Sequence, residues 1–258
     1  LGGDGKSFRR ERARNARAII AEIYSPPRVT ASARRLPKYG LEPGLELDIT
    51  VDDESGQPWD FSVKSQRDKA EALIDSQLPV LLSGSPMCTA FSAIQAINNM
   101  PGKRDPEIVA REQAAGRLHL AWCCQMYRRQ VARGAYFLHE HPAGATSWTE
   151  PCVMAVLRLT GVRRVRADQC MHGQESDAGN PIRKPTGFMS DSPQLLEALN
   201  RRWCGRKGLC SRPGGCVHQP CLGKVARRAA IFSDAMCEII LSGFSAQMKA
   251  DRIMRDNE

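Results

Sequence analysis

Short apolar runs recurring between helix-length segments constrain this chain more than any other feature. Residues 19–24, 45–51, 79–82, 135–138 and 162–167 each have the length and the β-branched or alternating character of a strand. Between them, 66–77 spaces Ala70, Leu73 and Ile74 as a helix does. In 105–133, Ile108, Leu118, Trp122, Met126 and Val131 fall near one helical face behind an Asp105-Pro106 start, and Ser147 or Thr149 caps a helix reaching about Leu159. Strands alternating with helices predict an α/β domain with a mostly parallel sheet flanked by helices. In such sheets ligands sit at the carboxyl ends of the strands.

Three segments fall where that rule places a site. Ser25-Pro26-Pro27 ends the first strand, 85–88 ends a middle strand, and His139-Glu140-His141-Pro142 ends the next. Cys88 follows a turn and precedes a helix starting near Ser92, a placement that lowers a thiol pKa if the helix end faces it; the alternative is a small buried hydrophobe. Glu140 between two histidines is a shielded carboxylate suited to hold or donate a proton, or a turn residue paired with an arginine. Further on, Gln169 precedes a turn, and Arg183-Lys184 precedes an apolar strand. Two adjacent cations there clamp an anion or form a solvated edge.

From 192 onward the character changes: a helix over 192–203, a Cys-rich basic insert to 223, and a long helix over 224–247 within a final segment to 258 that packs back on the α/β domain of 19–191. Cys204, Cys210, Cys216, His218 and Cys221 offer five soft or borderline ligands, with few apolar residues for the insert to fold around. Structural zinc held by Cys204, Cys210, His218 and Cys221, with Cys216 spare, is the expected set; the alternative is a cluster of unrelated thiols.

The net charge of +9 is uneven: residues 158–228 hold fourteen Lys or Arg against five Asp or Glu. That stretch is the expected surface for DNA, a polyanion, with Arg201, Arg202, Arg206, Lys207 and Arg212 as phosphate contacts. Residues 1–18 form a basic lead-in. No apolar run is long enough to span a membrane, and the first residues lack a secretory pattern. Ten cysteines without an export signal argue for metal binding, catalysis or burial rather than a disulfide framework, hence an intracellular, reducing location, nuclear in a eukaryote.

In order, these pieces resemble the DNA cytosine-5 methyltransferases, in a degenerate form of phage or retroelement type. GSPMCTAFS stands where that family has its Pro-Cys-Gln loop, HEHP for its Glu-Asn-Val, Arg183-Lys184 for its basic strand and Gly223-Lys224-Val225-Ala226 for the opening of its last helix; Cys170-Met171-His172-Gly173 and Lys184-Pro185-Thr186 echo phage-type members. The resemblance implies a Rossmann-like methyltransferase fold and methyl transfer from S-adenosylmethionine to a flipped cytosine, through an adduct of Cys88 with ring carbon 6. Glu140 would hold the proton on ring nitrogen 3, and Arg183 or Lys184 would position the base. Tyr24, Ser25, Asp48, Asp60 and Pro86 would line the cofactor, although Pro26 and Pro27 stand where the family places glycine. A catalytically inactive methylase fold, or a zinc-bearing nucleic-acid-binding module of a mobile-element polyprotein, is the alternative expectation, and a thiol hydrolase using His139 or His141 a third.

Overall fold

The structure, a computed structural model, describes residues 18–100, 103–200, 204–205 and 208–254; residues 1–17 of the lead-in and the phosphate-contact candidates Arg201, Arg202, Arg206 and Lys207 lie outside the described residues. Six strands form one sheet: β1 (Ile19–Ile23), β2 (Glu42–Leu47), β3 (Leu81–Gly84), β4 (Tyr136–Pro142), β5 (Arg163–Asp168) and β6 (Pro185–Ser190). Their order is β2-β1-β3-β4-β6-β5. β2, β1, β3 and β4 run parallel, and β6 is antiparallel to both its neighbours. The chain leaves β1 to one side for β2 and returns to the other for β3, so strand order reverses between β1 and β3, the kind of point where such sheets open a crevice.

The helices are α1 (Val29–Arg35), α2 (Lys64–Gln77), α3 (Ala93–Asn98), α4 (Pro106–Ala132), α5 (Pro151–Leu157), α6 (Pro193–Asn200), α7 (Gly223–Arg228) and α8 (Asp234–Ala250). Because side chains alternate along a strand, Ile20, Leu81, Leu138 and Phe188 point to one face and Ala21, Leu82, Phe137 and Met189 to the other. The first set packs against α1, α6 and α8 through Val29, Leu195, Leu199, Ile240 and Phe244. The second packs against α2, α4 and α5 through Ile74, Leu120, Tyr127 and Val153. Burying a side chain such as Phe244 contributes about 1.5–3 kcal/mol, so two such clusters hold the sheet from both sides.

Several boundaries differ from the sequence expectation, for local reasons. β2 ends at Leu47 because the Asp48 carboxylate turns back to accept from the N–H and hydroxyl of Thr50. β4 runs through His139-Glu140-His141 instead of ending before them, since β6 pairs with those residues. The expected long final helix is broken over 229–233, where Ser233 caps α8 by accepting from Met236 N–H.

Candidate functional site

β3 ends at Gly84, where a Cβ would lie 2.3 Å from the Tyr127 hydroxyl, so only glycine fits. Tyr127 donates to the Gly84 carbonyl at 3.1 Å. The segment 85–88 then crosses to β4, where His141 holds it: Nε2 lies 2.9 Å from the Pro86 carbonyl oxygen and Nδ1 2.6 Å from Ser147 Oγ. A carbonyl only accepts, so Nε2 bears the proton and Nδ1 accepts from the Ser147 hydroxyl. Cys88 begins a 3-10 turn over Thr89–Phe91, and Ser92, not Cys88, caps α3 by accepting from Gln95 N–H. The expected help from a helix end is therefore missing. Burial pushes the Cys88 thiol up, Glu140 adds to that, and Lys184 opposes it.

Glu140 and Lys184 meet beside this thiol. The Lys184 ammonium lies 3.6 Å from Glu140 Oε1, both side chains are mostly shielded, and Lys184 Nζ also donates to the Ala229 carbonyl at 3.2 Å. Glu140 Oε1 is buried and takes no hydrogen bond, so the Lys184 ammonium at 3.6 Å is the charge that faces it. Arg183, the other half of the basic pair, turns away, its Nε 3.6 Å from the fully buried Asp168. Asp168 in turn accepts from Cys204 N–H at 3.0 Å. Lys184 thus faces Glu140 and Cys88, and Arg183 faces the aspartate that anchors the insert.

Both neighbouring histidines bond to groups other than Cys88. His139 is fully buried against Tyr127, with Nδ1 3.1 Å from its hydroxyl, and burial holds its pKa well below the usual range. His141 is committed to Pro86 and Ser147, and burial lowers its pKa too. Among the described residues no hydrogen bond joins either imidazole to Cys88, as the nucleophile–base pair of a thiol hydrolase would.

The residues expected around a cofactor are mostly engaged by the protein itself. Tyr24 adopts φ 56°, the left-handed turn that glycine usually supplies, but its ring packs on Phe61 at 4.8 Å and its hydroxyl meets His119 Nδ1 at 2.9 Å. Glu22, which the sequence reading missed, organises the rest. Fully buried on β1, its carboxylate accepts from the N–H groups of Arg28 and Thr30 and from the hydroxyls of Thr30 and Ser25. Its signal was a carboxylate in the middle of the apolar run IIAEI. Burial raises the Glu22 pKa against those bonds. Pro26 and Pro27 have no N–H, the N–H groups of Arg28 and Thr30 point inward, and the Pro86 carbonyl is taken by His141. Asp48 and Asp60 remain at the correct end of the sheet, yet each spends a carboxylate oxygen on its own turn, through Thr50 and Ser62. The residues here do not fit the donor-rich cradle that S-adenosylmethionine requires.

A second constellation gathers at the end of β5. One ligand atom each from Cys170, Cys204, Cys210 and His218 lies within 4.8 Å of the others, with Cys204 Sγ 3.4 Å from His218 Nε2. Tetrahedral zinc with bonds of about 2.3 Å to sulfur asks for ligand separations of roughly 3.7 Å, so this Cys3His group can hold a metal ion such as zinc. Cys170 corrects the sequence choice of Cys221. It comes from the 3-10 turn Gln169–His172 directly after β5, outside the insert and its local spacing. Cys221 lies instead near Lys184, where burial raises its thiol and the ammonium opposes the rise. Cys216 is exposed, 3.5 Å from Asn180 Oδ1. The insert docks on the domain through the pairing of Gln219 with Ile182. Gln169, fully buried, donates to Thr186 Oγ1 at 3.0 Å and so ties the ligand-bearing turn to β6.

Part of the basic stretch is neutralised internally: Arg212 pairs with Glu175 and Arg228 with Asp177. Arg163 and Arg164 stand on the outer edge strand β5, and the Arg164 guanidinium lies 3.8 Å from the centre of a Trp148 ring. No helix among the described residues is long and apolar enough to cross a membrane. The chain matches no protein-family model and no curated protein, so what it does rests on these side chains alone.

Proposed function

We propose that the chain is a cytosine-5 methyltransferase-like domain with a Rossmann-like sheet, and that Cys88, Glu140 and Lys184 receive a cytosine swung out of DNA. The observation behind this reading is that the three residues, distant in sequence, meet in one shielded spot at the carboxyl ends of β3 and β4 and the entry to β6. A base in a duplex must leave the stack to reach such a spot. The Cys88 thiol, neutral at rest, passes its proton to the Glu140 carboxylate as the sulfur adds to ring carbon 6. The electron pair of the carbon 5–carbon 6 bond moves to carbon 4–carbon 5, that of the nitrogen 3–carbon 4 bond moves to nitrogen 3, and nitrogen 3 takes the proton from Glu140. Lys184 steadies Glu140 while it is charged. Carbon 5 then takes a proton from water, and reversal can expel the hydrogen it originally carried.

S-adenosylmethionine would supply an electrophilic methyl group in place of that proton, the outcome the resemblance implies, and the closed loop at 24–30 argues against its binding. The same loop and the raised Cys88 thiol favour a second reading, a metal-bearing nucleic-acid-binding module of a mobile-element polyprotein that keeps the fold without the chemistry. DNA carrying tritium at cytosine carbon 5 separates the two. Tritium release that disappears in Cys88→Ala supports the pyrimidine site. Binding without release leaves the module reading. With S-adenosylmethionine added, a covalent adduct on 5-fluorocytosine DNA would establish methyl transfer, and its absence would confine the chemistry to exchange.

A further inference from the structure

Where the insert meets the domain, the buried centre is made of thiols. Cys170, Cys204 and Cys210 form a cluster of their own with Met171 against it, while Leu209, Val217 and Leu222 stay exposed. Apolar burial therefore contributes little here, and an ion joining the three sulfurs to His218 would supply the tie that a hydrophobic core supplies elsewhere.

Residues beside those ligands grip the segment of Lys184 from two sides. On one side Gln169, which precedes Cys170, donates its N–H to the Lys184 carbonyl at 3.1 Å and its side-chain amide to Thr186 Oγ1 at 3.0 Å. Thr186 sends its one hydroxyl proton to the same Lys184 carbonyl at 3.1 Å, which fixes the Gln169 amide as the donor. On the other side Gln219, which follows His218, donates its N–H to the Pro181 carbonyl at 2.9 Å and pairs with Ile182. Asp168 adds a third link: it accepts from Cys204 N–H at 3.0 Å and faces Arg183 Nε at 3.6 Å. The tip of Lys184 is held by the same assembly. The Ala229 carbonyl that accepts from it opens the break 229–233, and Ser233 at the end of that break donates to the His172 carbonyl of the ligand-bearing turn.

We propose that a metal ion in the Cys170, Cys204, Cys210 and His218 group positions Lys184 against Glu140, and that removing the ion releases the ammonium from the cleft. The ion acts at a distance from Lys184, through the contacts of Gln169, Gln219 and Asp168 with residues 181–186. Without it, the turn 169–172, Cys204, Cys210 and the pair His218-Gln219 lose their common anchor, and the shielded ammonium gains solvent. This positioning requires metal in the group and holds whatever the cleft receives, so it stands apart from the pyrimidine site.

The full chain, kept reduced, is compared zinc-loaded and after chelation, with its zinc content measured. A short pulse of N-hydroxysuccinimidyl acetate acetylates accessible lysines, and mass spectrometry of the tryptic peptide beginning at Lys184 gives its rate. Lys69 on α2, paired with Asp53 and Glu54, is the internal reference. Lys184 is expected to react at least about 10-fold faster once zinc is gone, as in a local opening, with Lys69 unchanged and protection restored when zinc is added back. Thr186→Val, which removes the hydroxyl between Gln169 and Lys184, is expected to keep stoichiometric zinc and still acetylate Lys184 faster than the wild type. A wild type that binds no zinc overturns the proposal together with the metal group. Zinc that binds while its removal leaves the Lys184 rate unchanged, or speeds Lys69 equally, overturns the positioning alone, as does a Thr186→Val chain that protects Lys184 as the wild type does.

Discussion

Replacing His141 by alanine removes the two hydrogen bonds that hold the Cys88 loop against β4. The Pro86 carbonyl and the fully buried Ser147 hydroxyl then lose partners at 2.9 and 2.6 Å, and each buried polar group left unsatisfied costs about 1–3 kcal/mol. The imidazole also packs among Phe91, His139 and Trp148, with ring centres 5.0 to 6.4 Å away, so its loss opens a cavity. Together the expected destabilisation is about 3–6 kcal/mol, a large part of the roughly 5–15 kcal/mol available to a domain. Urea unfolding with an unchanged m-value measures it, and iodoacetamide labelling of Cys88 below the unfolding transition reports the loop. Labelling is expected to speed up in His141→Ala, because segment 85–88 has lost its anchor. His141→Gln, which keeps a donor within reach of Pro86, is expected to lose less. A loss under about 1 kcal/mol with unchanged Cys88 labelling would mean that His141 does not hold the loop.

Burial depresses His119, His139 and His141 below the ordinary 6.5, so the unfolded chain binds more protons at acid pH; stability is expected to be full above about 6.5 and to fall as pH drops through that value. The raised Glu22 carboxyl has the opposite slope, so the check is the difference between wild type and His139→Gln, whose acid limb should be shallower. For the metal group, Cys170→Ser is expected to abolish stoichiometric zinc by metal analysis while Cys221→Ser retains it; the reverse result would restore the ligand set read from spacing. At pH 8, iodoacetamide should label Cys88 faster in Glu140→Gln and more slowly in Lys184→Met, because the carboxylate raises the thiol and the ammonium lowers it. Equal rates in both variants would place Cys88 outside the reach of either charge.

Most of the strands were legible in the sequence because each is a short apolar run, and α2 and α4 because their apolar residues recur at helical spacing. What periodicity could not show is which strands adjoin. The antiparallel insertion of β6 between β4 and β5 is a long-range pairing, and it is what draws His139-Glu140-His141 into the sheet. Strand ends pointed to Cys88 and Glu140, which lie near Lys184, but Arg183 and Lys184 are adjacent and face different neighbours, a matter of orientation that sequence alone does not contain. The metal group failed at one ligand for a similar reason. Spacing favours ligands close in sequence, whereas Cys170 arrives from the end of β5. The break before α8 had a local signal, Ser233-Asp234, masked by the apolar run Ala229-Ala230-Ile231-Phe232 that continues the helical pattern.

The most direct test of the central claim is cofactor-free exchange at cytosine carbon 5. Purified full chain is incubated with DNA tritiated at that position, and radioactivity released to water is counted over time. Release by the wild type, abolished in Cys88→Ala and reduced about 100-fold or more in Glu140→Gln, is the expected result for a thiol that adds to carbon 6 with a carboxyl group managing the proton. Binding of the DNA with no release, or release unchanged by Cys88→Ala, would contradict the assignment of Cys88, Glu140 and Lys184 as a pyrimidine site.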